Sequence, residues 1–342
     1  MATGYLHGAF ESTPGNEVNT PTLSTKVIYF PLITSKPDLN PDPMERDDEL
    51  RNQDEPLPVL EEAHDPAFSY ASRAYPDLLG FWLKAALGAP TTTAGNGVIT
   101  DQDGVAVPTG AYRHVWTAPF GPAGVSPQTV QLQHSYKDQS VFYKLKGAAV
   151  EQLSITTPEK GGARLEVSGP AAYMTRQSDP ALSPSYESLT VRPFTRGNLT
   201  LPSFLSGSNA RFEDFTVNAN VPVDMVRSLG AASKFPDVVE KGDGLIVFTG
   251  AATMRTLDQD DYDALKAATG FALTARWTND SVIASAYPYK LYLVCTNAQY
   301  VGGEVDDLDS RRRHGASFSW KATYAGSASV TVQLVNATSS YV

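Results

Sequence analysis

An alternation of apolar and polar residues between Thr129 and Thr175 limits the fold of this sequence more than any other feature. Val130, Leu132 and His134 alternate with two glutamines, and a second alternating run begins at Val141 after a turn-like segment. Similar short runs follow, with Gly and Pro at the breaks between them. A hydrophobic period of two with such breaks predicts an antiparallel meander of strands with one solvent-facing side.

Part of this pattern recurs roughly eighty residues later, which is about half of a domain-sized repeat. A strand ending at Val167 leads into the small-residue stretch from Gly169 to Ala172, and a strand ending at Phe248 leads into Gly250 to Ala252. Two interpretations remain open. Either the chain carries two related β-domains, or two unrelated hairpins share small residues by chance; the residues favour duplication.

The length of the chain also favours two domains. At 342 residues it exceeds the usual size of a single domain, and a proline-containing break between Gln177 and Asn198 is the candidate linker. We therefore predict a first β-domain over residues 1–180, a linker over residues 181–198 and a second β-domain over residues 199–342. The 26 glycines, 24 prolines and 16 tyrosines favour turn-rich β structure over helical bundles.

One short helix is predicted in each domain. In the first, apolar residues recur at spacings of three and four from Tyr75 to Leu87, and Gly88 follows the last of them. In the second, a segment from Asp260 to Ala268 begins with acidic residues and is followed by Gly270. The predicted fold class is therefore mainly β, with two sandwich or barrel domains that each carry a helix.

A long loop rich in proline and charge is predicted over residues 35–58. Such a segment cannot bury enough apolar surface to order by itself, so it is either a surface loop or an arm that orders against a neighbouring subunit; its length favours the arm. The basic patch from Arg311 to His314 lies beside acidic residues and is interpreted as an intersubunit salt-bridge strip, since no aromatic stacking platform accompanies it. The candidate inter-subunit contact residues are Asp42, Glu45, Arg46, Asp47, Asp48, Arg311, Arg312 and Arg313.

Composition limits the partners of this chain. A formal net charge of -10 argues against a nucleic-acid-binding surface, because such a surface needs clustered Lys and Arg. The single cysteine, Cys295, lies in an apolar run and is predicted to be buried and inert; a nucleophilic role assisted by His314 is the less favoured alternative. No segment is typical of a signal peptide or a bilayer span, so we expect no membrane contact and synthesis in a cytosol-like compartment.

Sequence signatures of catalysis are missing. No phosphate loop, dinucleotide fingerprint, nucleophile elbow or zinc spacing occurs in the sequence. The acidic stretches from Asp258 to Asp261 and from Asp306 to Asp309 could supply oxygens to Ca²⁺, but they lack the glycine and terminal glutamate of an EF-hand. We predict that the protein is not an enzyme and has no cofactor or metal site.

Several of these segments together resemble the tail tube proteins of long-tailed, non-contractile bacteriophages. In the first half the resemblance lies in the opening Glu11 to Pro21, the helix ending in Leu87-Gly88, the strand Tyr112 to Trp116 and the meander from Lys144 to Val167. The second half, from Phe212 to Asn336, resembles the later part of the longer members. The loop over residues 35–58 and the patch from Arg311 to His314 have no counterpart in this resemblance.

The resemblance implies a β-sandwich or barrel subunit that assembles into rings stacked as a tube. It implies a virion tail component, made and assembled in the host cytoplasm, whose partners are further copies of the chain, the tape measure protein, and the tail terminator and distal tail proteins. DNA would pass through the lumen without specific binding, and an acidic lumen would let it slide without sticking. Because rings in this family usually contain six single-domain subunits, a two-domain chain would complete the circle with three copies, and we favour three copies over six.

Two other classes of function are weighed against this one. A receptor- or carbohydrate-binding module of a tail tip or fibre would expose aromatic residues at loop ends, whereas Trp82, Trp277 and Trp320 lie in periodic segments typical of a core. A hydrolase on a β scaffold would use a carboxylate pair such as Asp258 and Asp260, but pairs of this kind are common in sequences of any function.

Overall fold

A computed structural model of the protein describes the greater part of the chain. The described residues are 4–11, 28–44, 60–118, 129–136, 141–178, 191–195, 199–200, 212–228, 234–242, 244–254, 263, 270–284, 286–305, 316–323 and 329–341.

Strands account for most of the regular structure. In the first half they are β1 (Gly4–Phe10), β2 (Ile28–Phe30), β3 (Thr34–Asp38), β4 (Pro41–Met44), β5 (Leu60–His64), β6 (Ala67–Arg73), β7 (Thr91–Ala94), β8 (Tyr112–Thr117), β9 (Val130–Tyr136), β10 (Val141–Ala148), β11 (Gln152–Thr157), β12 (Arg164–Pro170) and β13 (Tyr173–Ser178), with the helix α1 (Pro76–Leu87) between β6 and β7. In the second half they are β14 (Leu199–Thr200), β15 (Phe212–Asn220), β16 (Val223–Val226), β17 (Val238–Lys241), β18 (Val247–Met254), β19 (Phe271–Ala284), β20 (Tyr287–Val305), β21 (Ala316–Ala322) and β22 (Val330–Asn336). The prediction of a mainly β fold is confirmed.

The strands form two layers and two small hairpins. A five-stranded sheet has the order β13-β10-β9-β1-β2. A thirteen-stranded sheet follows the path β3-β6-β12-β11-β15-β18-β21-β20-β22-β8-β7, with β19 paired to β20 and β14 paired to β19 beside it. The hairpins β4-β5 and β16-β17 are separate two-stranded sheets.

The predicted meander between Thr129 and Thr175 is divided between these two layers. Its first hairpin, β9-β10, belongs to the five-stranded sheet, and its second, β11-β12, belongs to the large sheet. The expectation of one solvent-facing side also fails for β9, where Gln131 and Gln133 are buried as fully as Leu132 on the other face. Alternation in sequence therefore located the strands correctly, but it could not show that the polar side of β9 is covered.

The helix α1 lies in the core between the two sheets. Phe81 packs against Phe10 and Phe30 of the five-stranded sheet, with ring centroids 4.5 and 5.1 Å apart. On the other side Trp82 stacks on Tyr70 of the large sheet at 5.2 Å. A helix that is apolar on all sides is stable in this position because both of its faces meet apolar side chains.

Both ends of α1 are fixed by neighbouring segments of the chain. The helix ends where predicted, at Gly88, which has a φ of 90° that favours glycine. The Trp116 indole Nε1 donates to the Gly88 carbonyl at 2.8 Å. Near the C-terminus, Tyr341 lies so close to Gly80 that a Cβ atom there would be 2.0 Å from the tyrosine ring. The last residues of the chain therefore clamp the first helix.

Strands from both sides of the predicted linker share one sheet. β11 pairs with β15, and β8 pairs with β22. Within the linker itself Phe194 is fully buried, and its backbone bonds to Ala74 and Ala163. The division into two domains stays a prediction, as does the second helix, of which the structure describes only Asp263, in helical conformation.

The segment over residues 35–58 is a loop only in part. β3 pairs with β6 and β4 pairs with β5, so the first ten residues contain strand structure that the density of proline concealed. Proline is tolerated in β3 because it is an edge strand, which needs ladder hydrogen bonds on one side only. Asn40, with a φ of 42°, forms the turn between β3 and β4. Residues 45–59 lie outside the described part of the chain.

Candidate assembly site

The longest continuous feature of the large sheet is a run of eight neighbouring strands. In spatial order they are β3, β6, β12, β11, β15, β18, β21 and β20. Every neighbouring pair in this series is antiparallel. We call this series the eight-strand run.

One face of the eight-strand run is apolar and covers the core. Because successive side chains of a strand point to opposite faces, Tyr70, Val167, Leu153, Val217 and Trp320 all lie on this side, and all are buried. The α1 helix packs against it.

The opposite face, which we call the polar face, carries mainly small hydroxyl, amide and methyl groups. Its uncharged polar members are Thr34, Ser69, Gln152, Ser154, Thr156, Ser168, Thr216, Asn218, Asn220, Thr249, Thr253, Gln299, Ser317 and Ser319. Most of them are partly or fully exposed. The described residues of this face are therefore mainly polar and exposed to solvent.

Charged side chains of both signs are spread over the polar face. Arg164 Nε lies 2.9 Å from Glu166 Oε1, and Lys36 pairs with Asp38 along β3. Arg73 donates to a backbone carbonyl at 2.8 Å. Since duplex DNA is held by clustered cations, the described part of the polar face is a poor surface for holding it.

Both ends of the eight-strand run are open as far as the described strands show. β3 pairs only with β6, and residues 299–305 of β20 pair only with β21, because the pairings of β19 and β22 end at Ala298 and Cys295. Large apolar side chains are exposed at both edges: Ile33 before β3 is 44% exposed and Val301 in β20 is 61% exposed. An unpaired strand with exposed apolar side chains is a template for pairing with another chain.

The two small hairpins are held together by hydrogen bonds from Arg227. Arg227, after β16, donates from Nη2 to the carbonyl of His64 at 2.6 Å and to the carboxylate of Asp65, and from Nη1 to the carbonyl of Lys234 at 2.8 Å. The backbone amide of His64 also donates to the Lys234 carbonyl at 2.9 Å, and its ring packs on Phe235. The base of the β4-β5 hairpin is therefore anchored on the β16-β17 hairpin.

One of the eight predicted contact residues lies in the described part of the chain. Asp42 is in β4, opposite Ala63 of β5. The other seven are outside the described residues: Glu45, Arg46, Asp47, Asp48, Arg311, Arg312 and Arg313. That all eight contact a neighbouring subunit stays a prediction.

A group of charged side chains, of which Asp101 and Lys290 are buried, attaches the loop over residues 95–111 to β19 and β20. Sequence reasoning missed this group. Lys290 Nζ donates to Asp101 Oδ2 at 2.6 Å, and the Tyr287 hydroxyl donates to the same oxygen. Burial alone would raise the pKa of Asp101, but these hydrogen bonds outweigh it and hold that pKa below its usual value. Asp103 receives bonds from Arg276 at 3.0 Å and from Tyr292 at 2.8 Å. The sequence indicated only a turn at Asp-Gln-Asp-Gly. A local turn pattern does not predict the side chains, more than 170 residues away, that bind these two aspartates.

Two groups with possible reactivity are held in neutral form. Burial raises the pKa of the Cys295 thiol to about 12, in agreement with the prediction that this residue is buried and inert. Burial, together with the neighbouring His7, lowers the pKa of His134 to about 3. His134 Nδ1 lies 2.6 Å from the Ser35 hydroxyl, but a ring with so low a pKa is a poor base at neutral pH. The pair therefore joins β3 to the five-stranded sheet rather than forming a catalytic couple.

Metal-binding clusters and membrane-spanning helices are absent from the same described ranges. No group of three or more His, Cys, Asp or Glu side chains there could hold a metal ion. None of the helices described is long and apolar enough to cross a membrane.

Comparison with known families gives one match across most of the chain. The family model described as phage tail tube protein matches residues 1–322. A search of curated proteins found no match. Since the family model covers all but the last 20 of the 342 residues, the chain belongs to the phage tail tube protein family.

Proposed function

We propose that this chain is the major tail tube subunit of a long-tailed, non-contractile bacteriophage, and that stacked rings of it form the conduit for DNA ejection. The observation that carries the proposal is the eight-strand run, which combines a hydrated polar face with two open edges. In a family of tube proteins, such a sheet could form the lining of the tube through its polar face and bind the neighbouring subunit through its open edges.

We further propose a ring of three copies, each with two β-domains, in preference to a ring of six. The tape measure protein, the tail terminator and the distal tail proteins would be its other partners in the virion. The subunit would be made and assembled in the host cytoplasm. Its role is structural and needs no catalysis.

The hairpin β4-β5 is the proposed contact between stacked rings. It projects from the loop between two neighbouring strands of the run, and Arg227 fixes its base through His64 and Asp65. An arm with a rigid base and a charged, proline-rich tip suits a contact with a neighbouring subunit. The predicted contact residues from Asp42 to Asp48 belong to this arm.

The DNA is proposed to pass without specific binding. The chain carries a net charge of -10, and carboxylates are interspersed with the Lys and Arg side chains on the described polar face. Among the residues that the structure describes, the tyrosine and tryptophan side chains that could stack on bases are mostly buried, Trp82, Trp277 and Trp320 among them.

Electron microscopy of the purified protein tests the proposal. Concentrated protein should form hollow tubes of uniform width, and the same preparation should not shift duplex DNA at moderate salt. A matched variant that lacks residues 46–58 should remain folded by circular dichroism but form tubes poorly. Wild-type protein that stays monomeric over a range of protein and salt concentrations would overturn the proposed function.

A further inference from the structure

We infer that Lys290 and Asp101 form a covalent cross-link within the chain, an amide between the lysine Nζ and the aspartate Cγ. It fixes the loop over residues 95–111 to β20. The reaction takes place once in each folded chain and releases one water molecule. Such a modification is independent of how the subunits assemble.

The two reacting side chains are in contact and shielded from water. Lys290 Nζ lies 2.6 Å from Asp101 Oδ2, and the two side chains are 8% and 0% exposed. The ring of Tyr287 covers the same nitrogen, with its centroid 5.1 Å away. By contrast, the side chains of the ion pair between Arg164 and Glu166 are 43% and 51% exposed. Lys290 and Asp101 therefore meet away from solvent, whereas an ordinary surface ion pair stays hydrated.

The reactive atoms of this pair need only a small movement to meet. The Asp101 Cγ atom is one bond beyond Oδ2, so Lys290 Nζ is close to the separation of about 3–3.5 Å at which bound groups react. Proximity of this kind replaces a collision in solution by a reaction within one molecule, which lowers the entropic part of the barrier. The pair thus has the arrangement from which an amide can form.

Both side chains must be neutral at the moment of attack. Transfer of a proton from Nζ to Oδ2 gives an amine and a carboxylic acid, and it leaves the net charge of the pair unchanged. Loss of two charges from a buried site also removes their desolvation cost. Burial opposes ionisation of Asp101, but its hydrogen bonds outweigh burial and hold its pKa below the usual value. The ion pair is therefore the resting form, and the neutral pair is the less populated form that reacts.

Hydrogen-bond donors surround the Asp101 carboxyl group where charge develops. The backbone amides of Asp103 and Val105 both donate to Oδ1 at 2.9 Å. When Nζ bonds to Cγ, Oδ1 becomes the negative oxygen of the tetrahedral intermediate, and the two amides stabilise it as an oxyanion hole does. The Tyr287 hydroxyl donates to Oδ2, the oxygen that leaves. Burial and the neighbouring Asp101 raise the pKa of Tyr287, so its hydroxyl keeps donating this bond at neutral pH.

Asp103 is placed to carry the proton that the attacking nitrogen loses. Its Oδ2 lies 3.4 Å from Lys290 Nζ and also receives hydrogen bonds from Arg276 and Tyr292. As the N–C bond forms, Asp103 takes one proton from the nitrogen and gives it to Oδ2 of Asp101. That oxygen then carries two protons and leaves as water when the C–O bond breaks. No oxidant and no cofactor is consumed.

The loop that carries Asp101 is held in place by its own hydrogen bonds. The Asp101 amide donates to the Val105 carbonyl at 2.9 Å, and Gly104, with a φ of 78°, donates to the Asp101 carbonyl at 3.0 Å. Arg113, at the start of β8, donates from Nη1 to the Thr100 carbonyl at 2.6 Å. These bonds position the carboxyl group against β20 before any reaction takes place.

A cross-link at this place joins distant parts of the chain. Asp101 and Lys290 are 189 positions apart, and β7 and β8, which flank the loop, form one end of the large sheet. Closing so long a loop reduces the entropy of the unfolded chain, as a disulfide does. The chain has one cysteine and so forms no disulfide within itself. An amide supplies an equivalent cross-link that reducing conditions do not break.

Mass spectrometry of the purified full-length subunit tests the cross-link. After incubation at neutral pH the wild type should be lighter than its sequence mass by one water molecule. Lys290→Arg keeps the positive charge and should have its full sequence mass. Because trypsin does not cleave after a modified lysine, a digest of the wild type should contain residues 85–113 joined to residues 277–311. In the same digest the exposed pair of Lys36 and Asp38 is the control, and the peptide over residues 27–46 should have its full mass.

Two further variants separate amide formation from a buried ion pair. Asp101→Asn can form the same amide with loss of ammonia instead of water, so its linked product should have the mass of the linked wild type. Asp103→Asn should stay folded by circular dichroism and form the cross-link at least about tenfold more slowly. Linkage of this variant at the wild-type rate would overturn the role of Asp103.

The wild-type digest decides whether the cross-link exists. Folded wild-type protein with its full sequence mass, which gives separate peptides over residues 85–113 and 277–290, would overturn the cross-link. That result would leave the proposed function intact, because tube formation is scored separately by electron microscopy. Linked protein that forms no tubes would overturn the proposed function and leave the cross-link established.

Discussion

The pairing of β11 with β15, which we call the inner joint of the eight-strand run, differs from the two open edges of the run in how strand pairing is controlled. At the inner joint, six consecutive residue pairs from Gln152-Asn220 to Thr157-Phe215 follow one register without a bulge. At the open edges β3 contains Pro37 and a charged pair, and β20 has an irregularity at Val301. Proline, lysine and bulges are features that keep edge strands from pairing indiscriminately. The inner joint is therefore regularly paired within the chain, whereas the open edges carry features that discourage indiscriminate pairing.

Two sets of four strands in the run, β3-β6-β12-β11 and β15-β18-β21-β20, have the same topology but pack with different residues. On the core side, Tyr70 lies beside Val167 in the first set and Gly250 lies beside Trp320 in the second. The large side chain has moved by one strand, while the pair still fills the space above the sheet. Cores accept such exchanges when total volume is conserved, so two sets with the same topology can share little sequence.

The largest effect on stability is expected from placing a proline, which the edge strand β3 accepts, in the central strand β15. Ala219→Pro puts proline, which the edge strand β3 carries at position 37, into a central strand flanked by β11 and β18. Loss of a ladder hydrogen bond and steric conflict should reduce the free energy of unfolding by on the order of 3 kcal/mol or more. Urea denaturation measures this. The reverse change, Pro37→Ala, should alter stability by about 0.5 kcal/mol or less; equal effects of the two substitutions would contradict the assigned edge.

A smaller loss is expected from disturbing the packing of the second set of four strands. A Cβ atom at Gly250 would lie 2.4 Å from both the Trp320 ring and the carbonyl oxygen of Thr216. Gly250→Val should therefore lower the free energy of unfolding by about 1–3 kcal/mol. Ala251→Val, on the exposed polar face one residue away, is the matched control and should be nearly neutral. A stable Gly250→Val variant would show that the tryptophan ring can move aside.

Acid should weaken the five-stranded sheet and its contact with β3 through His134. Its pKa is about 3 in the folded protein and about 6.5 when unfolded. Above pH 6.5 both states are neutral; as the pH falls from 6.5 towards 3 the unfolded state alone binds the proton, so stability decreases by up to about 1.4 kcal/mol per unit. This contribution should reach about 2 kcal/mol at pH 5. Urea denaturation at pH 7, 6 and 5 should show a shallower loss for His134→Gln than for the wild type, and parallel curves would refute the assignment.

The smallest effect on subunit stability, but a large one on assembly, is expected at the open edge. Val301 is 61% exposed, so Val301→Asp should change the free energy of unfolding by about 0.5 kcal/mol or less. Assembly should fail because an unpaired charge would be buried where this edge binds the neighbouring subunit. Val98→Asp, at a valine that is 79% exposed on the loop after β7, is the control and should still form tubes. Sedimentation and electron microscopy follow both variants, and tubes of Val301→Asp with normal yield would argue against this contact.

Sequence alone located most strands and the α1 helix, because alternation and helical spacing are local properties. Tyr112 to Trp116, the strand that ends at Val167 and the segment from Tyr75 to Leu87 are examples, each within a few residues of the observed element. It could not assign strands to sheets, since the neighbours of β9 and β11 are set by packing between distant segments. The short strand β3 was hidden by its proline, whose acceptability depends on lying at a sheet edge.

Less of the candidate assembly site than of the fold could be predicted from the sequence. The charge and proline content of residues 35–58 predicted an arm that contacts a neighbouring subunit, whereas no pattern in the sequence predicts the open edges. Val301 and Ile33 resemble ordinary core residues until the structure shows them exposed. Likewise the contacts of Arg227 with His64 and Asp65 connect residues that are 163 and 162 positions apart in the chain. No local pattern in the sequence reports a contact across such a separation.

A density map of assembled tubes, at a resolution that separates strands, would decide whether the open edges close the ring. We expect a ring of three chains enclosing a barrel of three times eight strands, with β3 of each copy beside residues 299–305 of its neighbour and the polar face towards the lumen. A six-fold ring with one whole chain in each repeat, or a three-fold ring in which those two edges face solvent, would contradict this assignment.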